Sequence, residues 1–393
     1  MMNKICNINN CTGCYACYNV CKHDAIQFLP DKLFFFKPHI DNSKCINCGL
    51  CSKICPVNTQ PALHYPIECY ASTLIEESDI IKSASGGAAT ALMRNIIQQN
   101  GIVYGVSNEN IFNIKHIRIE RYEELDKLRG SKYVQSSINN TFSQCLADLK
   151  NNKIVLFIGT PCQIAGLKSF LRKDYDNLYT VDLVCHGVPS QKMLNDNLIK
   201  YNYSINNSSN LKVSFRKKIH QDNSYKIKYG FFLNDNDKHI DTPYYKDYYM
   251  MGFLSCLTFR ESCYNCRYAT SSRVSDITLA DFWGLGNDAK FIKGKGVSAC
   301  LLNTDKGIKL FQQAREQMIV CKREIVEAII GNGQLQCPSK RHEKHTLFRE
   351  LYPTNSFEYA IKSCLRKEII KLKYIIPVKL FIKHILRLKT FFL

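Results

Sequence analysis

The sequence of 393 residues has few acidic side chains and no long apolar stretch. No run reaches the ~18 consecutive apolar residues that a membrane-spanning helix needs. The N-terminus has no apolar segment of the kind that directs export. These absences predict a cytoplasmic protein that is soluble or peripheral. Hydrophobic residues make up 45% and charged residues 22% of the chain, as in an ordinary globular protein.

The shortage of acids leaves a formal net charge of +19. Residues 366–393 contain eight basic residues and one acidic residue, Glu368, and so contribute +7 of this net charge. The rest of the chain has no recognised nucleic-acid-binding motif, so we expect no nucleic-acid partner.

Within this basic segment, Lys379, Lys383 and Arg387 recur on one face of a predicted amphipathic helix over residues 377–393. Such a helix either lies on anionic lipid at the inner face of the membrane or packs on the protein body with its lysines in water. The pattern fits both interpretations equally.

Cysteine, in contrast, is in excess, with 20 residues. Cytosolic thiols stay reduced, so clustered cysteines indicate metal ligands rather than disulfides. Two runs share the pattern Cys-x2-Cys-x2-Cys-x3-Cys and lie 34 positions apart. The first run is Cys11, Cys14, Cys17 and Cys21, and the second is Cys45, Cys48, Cys51 and Cys55.

This spacing is typical of two-cluster ferredoxins, in which the fourth cysteine of each run ligates the other [4Fe–4S] cluster. The predicted ligand sets are Cys11, Cys14, Cys17 and Cys55 for one cluster and Cys45, Cys48, Cys51 and Cys21 for the other. Between the runs, residues 25–28 and 34–36 flank a turn and predict a hairpin. Zinc is the alternative, but zinc sites rarely carry the third evenly spaced cysteine. Cys6 is left over as a spare thiol.

A third cysteine set is predicted further along the chain. Residues 153–158 and 179–184 form predicted strands joined by a helix over residues 163–171, which makes the strands parallel. Cys162 and Cys185 each follow one of these strands, at the edge where α/β proteins bind ligands. Cys263 and Cys266 complete a four-thiolate site. Cys256 is an alternative to any one of the four, and a zinc knuckle or free thiols are alternatives to the cluster.

Two other segments are candidates for binding a cofactor. Residues 83–90 begin a predicted helix with glycines that expose backbone amides to an anion, although a plain tight turn is the alternative. Lys132 lies in a loop after a helical stretch over residues 123–128. Its side chain faces either a cofactor or the solvent.

Five motifs in order resemble one family. They are residues 85–90, residues 130–136, residues 159–163, residues 185–189, and Cys263-x2-Cys266 followed by residues 276–284. Together they resemble the beta subunit of coenzyme F-420 hydrogenases and dehydrogenases, in the form with an N-terminal 4Fe–4S ferredoxin domain. The resemblance covers residues 65–310.

The resemblance implies a non-covalent flavin, FAD, beside a [4Fe–4S] cluster. On this analogy Ser85, Gly86, Gly87, Thr90 and Lys132 contact the flavin, and Thr160 and Gln163 line its site. Lys132 would supply a positive charge suited to a reduced, anionic flavin.

These parts predict an oxidoreductase that passes electrons between a ferredoxin or other redox partner protein, the clusters and the flavin. The flavin then exchanges electrons with a small-molecule or lipid-linked substrate, and similar proteins suggest a place in cell-surface polysaccharide synthesis. The alternative is an electron-transfer subunit without a substrate of its own, serving a partner enzyme. A chain that binds only structural zinc is a further alternative, against which the five motifs argue.

The predicted fold is an α+β ferredoxin-like 2[4Fe–4S] domain over residues 1–60, followed by an α/β domain with a partly parallel sheet. Residues 62–150 and 151–310 are the N-terminal and C-terminal parts of that flavin and iron–sulfur domain. Residues 311–393 are predicted to form a helical basic tail.

Overall fold

The computed structural model describes residues 4–207, 211–221, 224–235, 238–286, 288–289 and 296–372. The N-terminal region contains α1 (Ala16–Val20), β1 (Ile26–Pro30), β2 (Phe36–Ile40) and α2 (Leu50–Lys53). β1 and β2 pair antiparallel, so the predicted hairpin is confirmed. Its turn is stabilised by the Asp31 carboxylate, which accepts hydrogen bonds from the amides of Leu33 and Phe35 at 2.9 and 3.0 Å.

The strands that follow build two sheets. In chain order they are β3 (Glu68–Leu74), β4 (Ile102–Ser107), β5 (Lys115–Ile119), β6 (Val155–Gly159), β7 (Leu178–Leu183), β8 (Lys212–Gln221), β9 (Ser224–Asp235), β10 (Lys238–Pro243), β11 (Ile277–Asp281), β12 (Ser298–Leu302) and β13 (Met318–Arg323). The larger sheet has the order β13-β3-β12-β11-β7-β6-β4-β5. Neighbours from β11 to β4 run parallel and the others antiparallel, so the predicted partly parallel sheet is confirmed.

The helices after the N-terminal region are α3 (Glu77–Lys82), α4 (Ala88–Gln98), α5 (Thr141–Lys150), α6 (Pro161–Leu171), α7 (Gln191–Ile199), α8 (Tyr248–Leu254), α9 (Asp305–Ala314), α10 (Ile325–Gly331), α11 (His345–Leu351), α12 (Phe357–Cys364) and α13 (Arg366–Ile370). Helices cover both faces of the larger sheet, and every residue of β6 is buried as a result. α4 and α9 pack on Leu156, and α5 and α6 pack on Phe157 on the opposite face. Cys14 and Tyr15 join the α5–α6 core, which places α1 against α6.

β8, β9 and β10 form a separate antiparallel sheet that the sequence patterns did not predict. Its inward side chains, such as Phe215 and Phe231, share a core with α7, α8 and α12. Leu33 and Phe35 of the N-terminal hairpin belong to the same core. The hairpin is therefore held against the rest of the chain by apolar packing.

β13 differs from the predicted helical tail over residues 311–393. Met318–Arg323 is extended and pairs with β3 at one edge of the larger sheet. The β-branched Ile319 and Val320 favour a strand, and the free edge of β3 supplies its partner. The predicted helix over residues 377–393 lies outside the described residues. Within the described part of the chain, no helix has both the length and the apolar character needed to cross a bilayer.

Candidate functional site

The first predicted ligand set surrounds a cavity in the N-terminal region. The lining of this cavity includes Cys11, Cys14, Cys17 and Cys55. All four thiols are buried. These are the four cysteines that the crossed ligation pattern assigns to one cluster. Tyr15, Phe28 and Val57 form apolar parts of the wall.

The thiols around this cavity differ in acidity. The pKa of Cys11 is lowered to about 5, chiefly by a hydrogen bond from Cys6 and also by the charges of Arg260 and Lys37. Burial raises the pKa of Cys14 to about 12, so this thiol ionises only when a metal replaces its proton. Cys6, the spare thiol, lies on the cavity wall. Its pKa is raised by hydrogen bonds to Cys11 and Cys55.

The second ligand set lies nearer the surface. Cys48 is exposed, and Cys21, Cys45 and Cys51 are half-buried. Burial raises the pKa of Cys51, and the neighbouring Cys48 and Cys21 raise it further. Cys51 and Cys21 also pack against the small core that contains Cys17 and Cys55 of the first set. The two sets therefore adjoin each other.

The third set forms at the carboxyl edge of the larger sheet. Cys162 begins α6 just after β6, and Cys185 follows β7, the parallel neighbour of β6. Burial raises the pKa of Cys185 well above its usual value, and the nearby Cys263, Cys162 and Cys266 raise it further. The structure thus brings the four predicted thiols together. Cys256 instead lies with its Sγ 3.4 Å from Nε2 of His186.

α6 connects the third set to the first. Gly166 lies one helical turn after Cys162, and a Cβ at Gly166 would come within 2.7 Å of the Cys14 Cβ. The buried Tyr268 shares one apolar core with Cys14, and Cys162 and Cys266 pack against the same core. In the described ranges no group of three or more His, Cys, Asp or Glu side chains could hold a single metal ion. A [4Fe–4S] cluster differs in spreading four thiolates over four irons.

The predicted glycine loop is packed tightly on the sheet. A Cβ at Gly86 would lie 2.1 Å from the backbone oxygen of Ser72, so only glycine fits there. Gly87, with φ +87°, precedes the first turn of α4, in which Thr90 is buried. Ser85 donates from Oγ to the Val297 oxygen at 2.8 Å. The packing requires glycine at both positions, and a cofactor contact at this turn stays a prediction.

Lys132 turns into the protein rather than into solvent. Its Nζ donates to the backbone oxygens of Leu128 and Arg129 at 2.8 and 2.7 Å. Burial lowers the pKa of Lys132 to about 7. No carboxylate of the described residues forms an ion pair with it. An anion bound beside Lys132 would favour its charged form.

Thr160 and Gln163 form a capping box at the start of α6. Thr160 Oγ1 lies 3.2 Å from Cys162 Sγ, and Gln163 Nε2 donates to Ser136 Oγ at 3.0 Å. Ser136 in turn lies 3.2 Å from Nδ1 of His116, whose pKa is lowered to about 4 by burial, with Lys132 contributing. Thr160 and Gln163 thus link the third cysteine set to the neighbourhood of Lys132.

Two further cations come from β8, which the sequence patterns did not reveal. Arg216 binds Asp281 with Nη1 2.7 Å from Oδ2, and also donates to the Tyr133 hydroxyl. Lys218 donates from Nζ to the Ser85 oxygen at 2.6 Å. Arg216 also reaches the Ala84 oxygen at 3.4 Å. The glycine loop and the Lys132 loop are therefore bridged by basic side chains.

Residues 152–328 match the family model for the C-terminal region of the beta subunit of coenzyme F420 hydrogenase/dehydrogenase, and residues 10–59 match a 4Fe-4S dicluster domain. The chain thus carries this beta-subunit domain behind a dicluster domain. The resemblance predicted from the five motifs is confirmed. The beta-subunit domain contains β6, β7 and all four cysteines of the third set.

The relatives match different shares of the chain. One of the subunits of the F(420)H(2) dehydrogenase of Methanosarcina mazei is 20% identical over 364 residues, which cover 90% of this chain and 95% of that protein. The coenzyme F420-dependent sulfite reductase of Methanocaldococcus jannaschii is 24% identical over 192 residues, covering 48% of this chain and 29% of that protein. A chain of the F420-reducing [NiFe] hydrogenase complex from Methanosarcina barkeri is 17% identical with a TM-score of 0.46, covering 78% of this chain and 92% of that one.

Proposed function

We propose that this chain is an iron–sulfur electron-transfer subunit of a cytoplasmic oxidoreductase. It would carry electrons between a redox partner protein at its dicluster domain and a reaction centre at the carboxyl edge of the larger sheet. The observation that carries this proposal is the series of three cysteine sets, from the exposed Cys48 through the buried cavity to the sheet edge. The relative that matches 90% of this chain is itself one subunit of a dehydrogenase. This favours the subunit over an enzyme with its own small substrate.

The donor chemistry of the three sets fits [4Fe–4S] clusters, which pass one electron at a time when bound. Cys11, Cys14, Cys17 and Cys55 would hold one of them in a cavity walled by apolar side chains, which limits the access of water. The second set reaches the surface and gives a partner protein access. The third set adjoins the first through α6, so each step of the path is between neighbours.

A flavin at the sheet edge is the proposed reaction centre. FAD, when bound, exchanges electrons singly or in pairs. The basic side chains Arg216 and Lys218 reach the glycine loop, and Arg216 also contacts Tyr133, the neighbour of Lys132 in sequence. Asp281 is the acid that pairs with Arg216. This surplus of positive charge suits an anionic cofactor held by Ser85, Gly86, Gly87, Thr90 and Lys132, with Thr160 and Gln163 beside it. The place in polysaccharide synthesis stays a prediction from the resemblance.

Anaerobic purification followed by iron and flavin analysis tests the proposal. We expect about twelve irons per chain, four for each of three clusters, and about one flavin. Cys162→Ser should lower the iron content to about eight, while Cys256→Ser should leave about twelve. A wild-type protein with about eight irons that Cys162→Ser does not change would contradict the third cluster.

Flavin binding is tested separately by Lys132→Met, which removes the half-buried cation. We expect the bound flavin per chain to fall several-fold while the iron content stays unchanged. Lys217→Met is the matched control, because Lys217 is an exposed lysine on β8 that pairs with Asp241 at 2.7 Å. Equal flavin content in both variants would count against the flavin site.

A further inference from the structure

Arg260 is among the most deeply buried side chains of the described residues, with 1% of its surface exposed. It lies between α8 and the turn that carries Cys263. Neither the cysteine spacing nor the five motifs include it. A guanidinium is always charged, and burying a charge is costly unless it is compensated. Its surroundings must therefore supply the compensation.

The backbone of Arg260 belongs to the third cysteine set. Its amide donates to the Val188 oxygen at 3.0 Å, three residues after Cys185. Its carbonyl oxygen accepts from the Cys263 amide at 2.9 Å. Arg260 is thereby tied to two of the three chain segments that contribute the third set, those of Cys185 and Cys263.

The side chain of Arg260 reaches in the other direction, to the first set. Nε donates to the Cys11 oxygen at 2.7 Å, and Nη2 lies 3.6 Å from the Cys11 sulfur. Nη2 also donates to the Phe36 oxygen at 3.0 Å, and Nη1 donates to Gln135 Oε1 at 2.9 Å. One residue thus spans from the third set to a ligand of the first.

These partners satisfy the hydrogen-bonding groups of Arg260 but not its charge. No carboxylate of the described residues forms an ion pair with it, and the ring of Phe35, 5.6 Å away, offers only a weak attraction. Arg273 is equally buried, yet it pairs with Asp182 at 2.8 Å. The groups near Arg260 that can become negative are thiols and the phenol of Tyr15, and because burial raises the pKa of Tyr15 the thiolates are the anions available to Arg260. Its charge lowers the pKa of Cys11, Cys162 and Cys263, against the effect of burial.

We propose that Arg260 is the counter-ion shared by the first and third thiolate sets, and that its charge raises the reduction potential of the cluster held by Cys11. This rests on the proposed function, because it requires a cluster in the first set. A reduced cluster carries one more negative charge than an oxidised cluster. A fixed positive charge a few ångströms from a ligand sulfur therefore stabilises the reduced form.

The test is an anaerobic redox titration followed by electron paramagnetic resonance, in the full chain. The signal of the first cluster is assigned by its loss in Cys14→Ser. Arg260→Gln keeps a hydrogen-bonding side chain but removes the charge, and we expect the potential of this cluster to fall by at least the equivalent of a tenfold change, about 59 mV for one electron. Arg260→Lys keeps the charge, so the potential of this cluster should stay close to that of the wild-type protein.

Arg267→Gln is the matched control. Arg267 is exposed beside Cys266 and also joins the two regions, since its Nη1 donates to the Val57 oxygen at 2.9 Å. Its charge is screened by water, so the potential should change far less than in Arg260→Gln. A purely structural contribution of Arg260 would lower the iron content without shifting the potential of the clusters that remain.

The outcomes separate the inference from the proposed function. If the wild-type protein lacks the first cluster, the proposed function fails before any variant is measured. If Arg260→Gln binds iron normally and its first cluster titrates at the wild-type potential, the proposal that Arg260 is the counter-ion is overturned. If Arg260→Gln loses the first cluster, its recovery in Arg260→Lys supports the charge. Loss in both variants would assign Arg260 to hydrogen bonding alone and overturn the proposal.

Discussion

The two cysteine runs have the same spacing and the same loop geometry in different surroundings. Gly13 and Asn47 precede the second cysteine of each run with φ values of 69° and 60°, and Tyr15 and Gly49 follow it with 64° and 71°. The first run is enclosed by Arg260, Gln135 and α6, whereas Cys48 of the second is exposed. Spacing therefore sets the ligand geometry, while the rest of the fold sets burial and charge. The runs are chemically alike but suited to different positions along the proposed electron path.

The largest difference should appear when one ligand is removed from each run. Cys14→Ser and Cys48→Ser should each lose about four irons. Cys14→Ser should also destabilise the fold by about 1–3 kcal/mol, because its hydroxyl is left in the apolar cavity. Both variants share the cost of losing a cluster, but Cys48→Ser places the same hydroxyl in water, where its own added cost is within about 0.5 kcal/mol.

Iron analysis and thermal unfolding under argon measure both effects. Cys337→Ser is the control, because Cys337 is exposed and belongs to none of the three sets. Equal losses of stability in Cys14→Ser and Cys48→Ser would show that burial does not distinguish the two runs.

A smaller difference is expected from Gly13→Ala and Gly49→Ala. Both glycines have nearly the same positive φ, 69° and 71°, so alanine is strained at either position. A Cβ at Gly13 would also lie 2.6 Å from Gln135 Nε2 and 3.0 Å from Arg260 Nη1, whereas Gly49 has open space around it. Gly13→Ala should therefore cost about 1 kcal/mol more than Gly49→Ala.

Denaturant unfolding of the two anaerobic variants gives this difference directly. Gln135→Ala combined with Gly13→Ala should recover part of the added cost, since the colliding side chain is removed. If stability is not recovered, the cost of Gly13→Ala comes from the backbone conformation rather than from the collision with Gln135.

Much of this arrangement could be predicted because it depends on residues close in sequence. Cysteine spacing predicts the first ligand set, whose four thiols line one cavity, and the strand–helix–strand pattern predicts Cys162 beside Cys185. The charges around the sites could not be predicted in this way. Arg260 is 249 positions from Cys11, and its position is determined by the packing of one region on the other. Arg216 and Lys218 lie on β8, part of a sheet that carries no motif.

The smallest expected effect comes from Lys37, which should make the reduction potential of the first cluster depend on pH. Its Nζ donates to the Ile8 oxygen at 2.9 Å, and burial, followed by the charge of Arg260, lowers the pKa of Lys37 to about 8. Lys37 is thus charged below this pH and neutral above it. Because a positive charge favours the reduced cluster, the reduction potential of the first cluster should fall as the pH rises from about 7 to about 9. The fall should be smaller than about 59 mV, the equivalent of a tenfold change for one electron.

Lys37→Met should remove this pH dependence and hold the potential near its high-pH value. Lys53→Met is the control, since Lys53 is an exposed lysine on α2 in the second run and its charge is screened by solvent. Redox titrations at several pH values compare the variants. An unchanged slope in Lys37→Met would assign the proton to another group, and the two runs would then differ in burial and in Arg260 but not in a titrating charge.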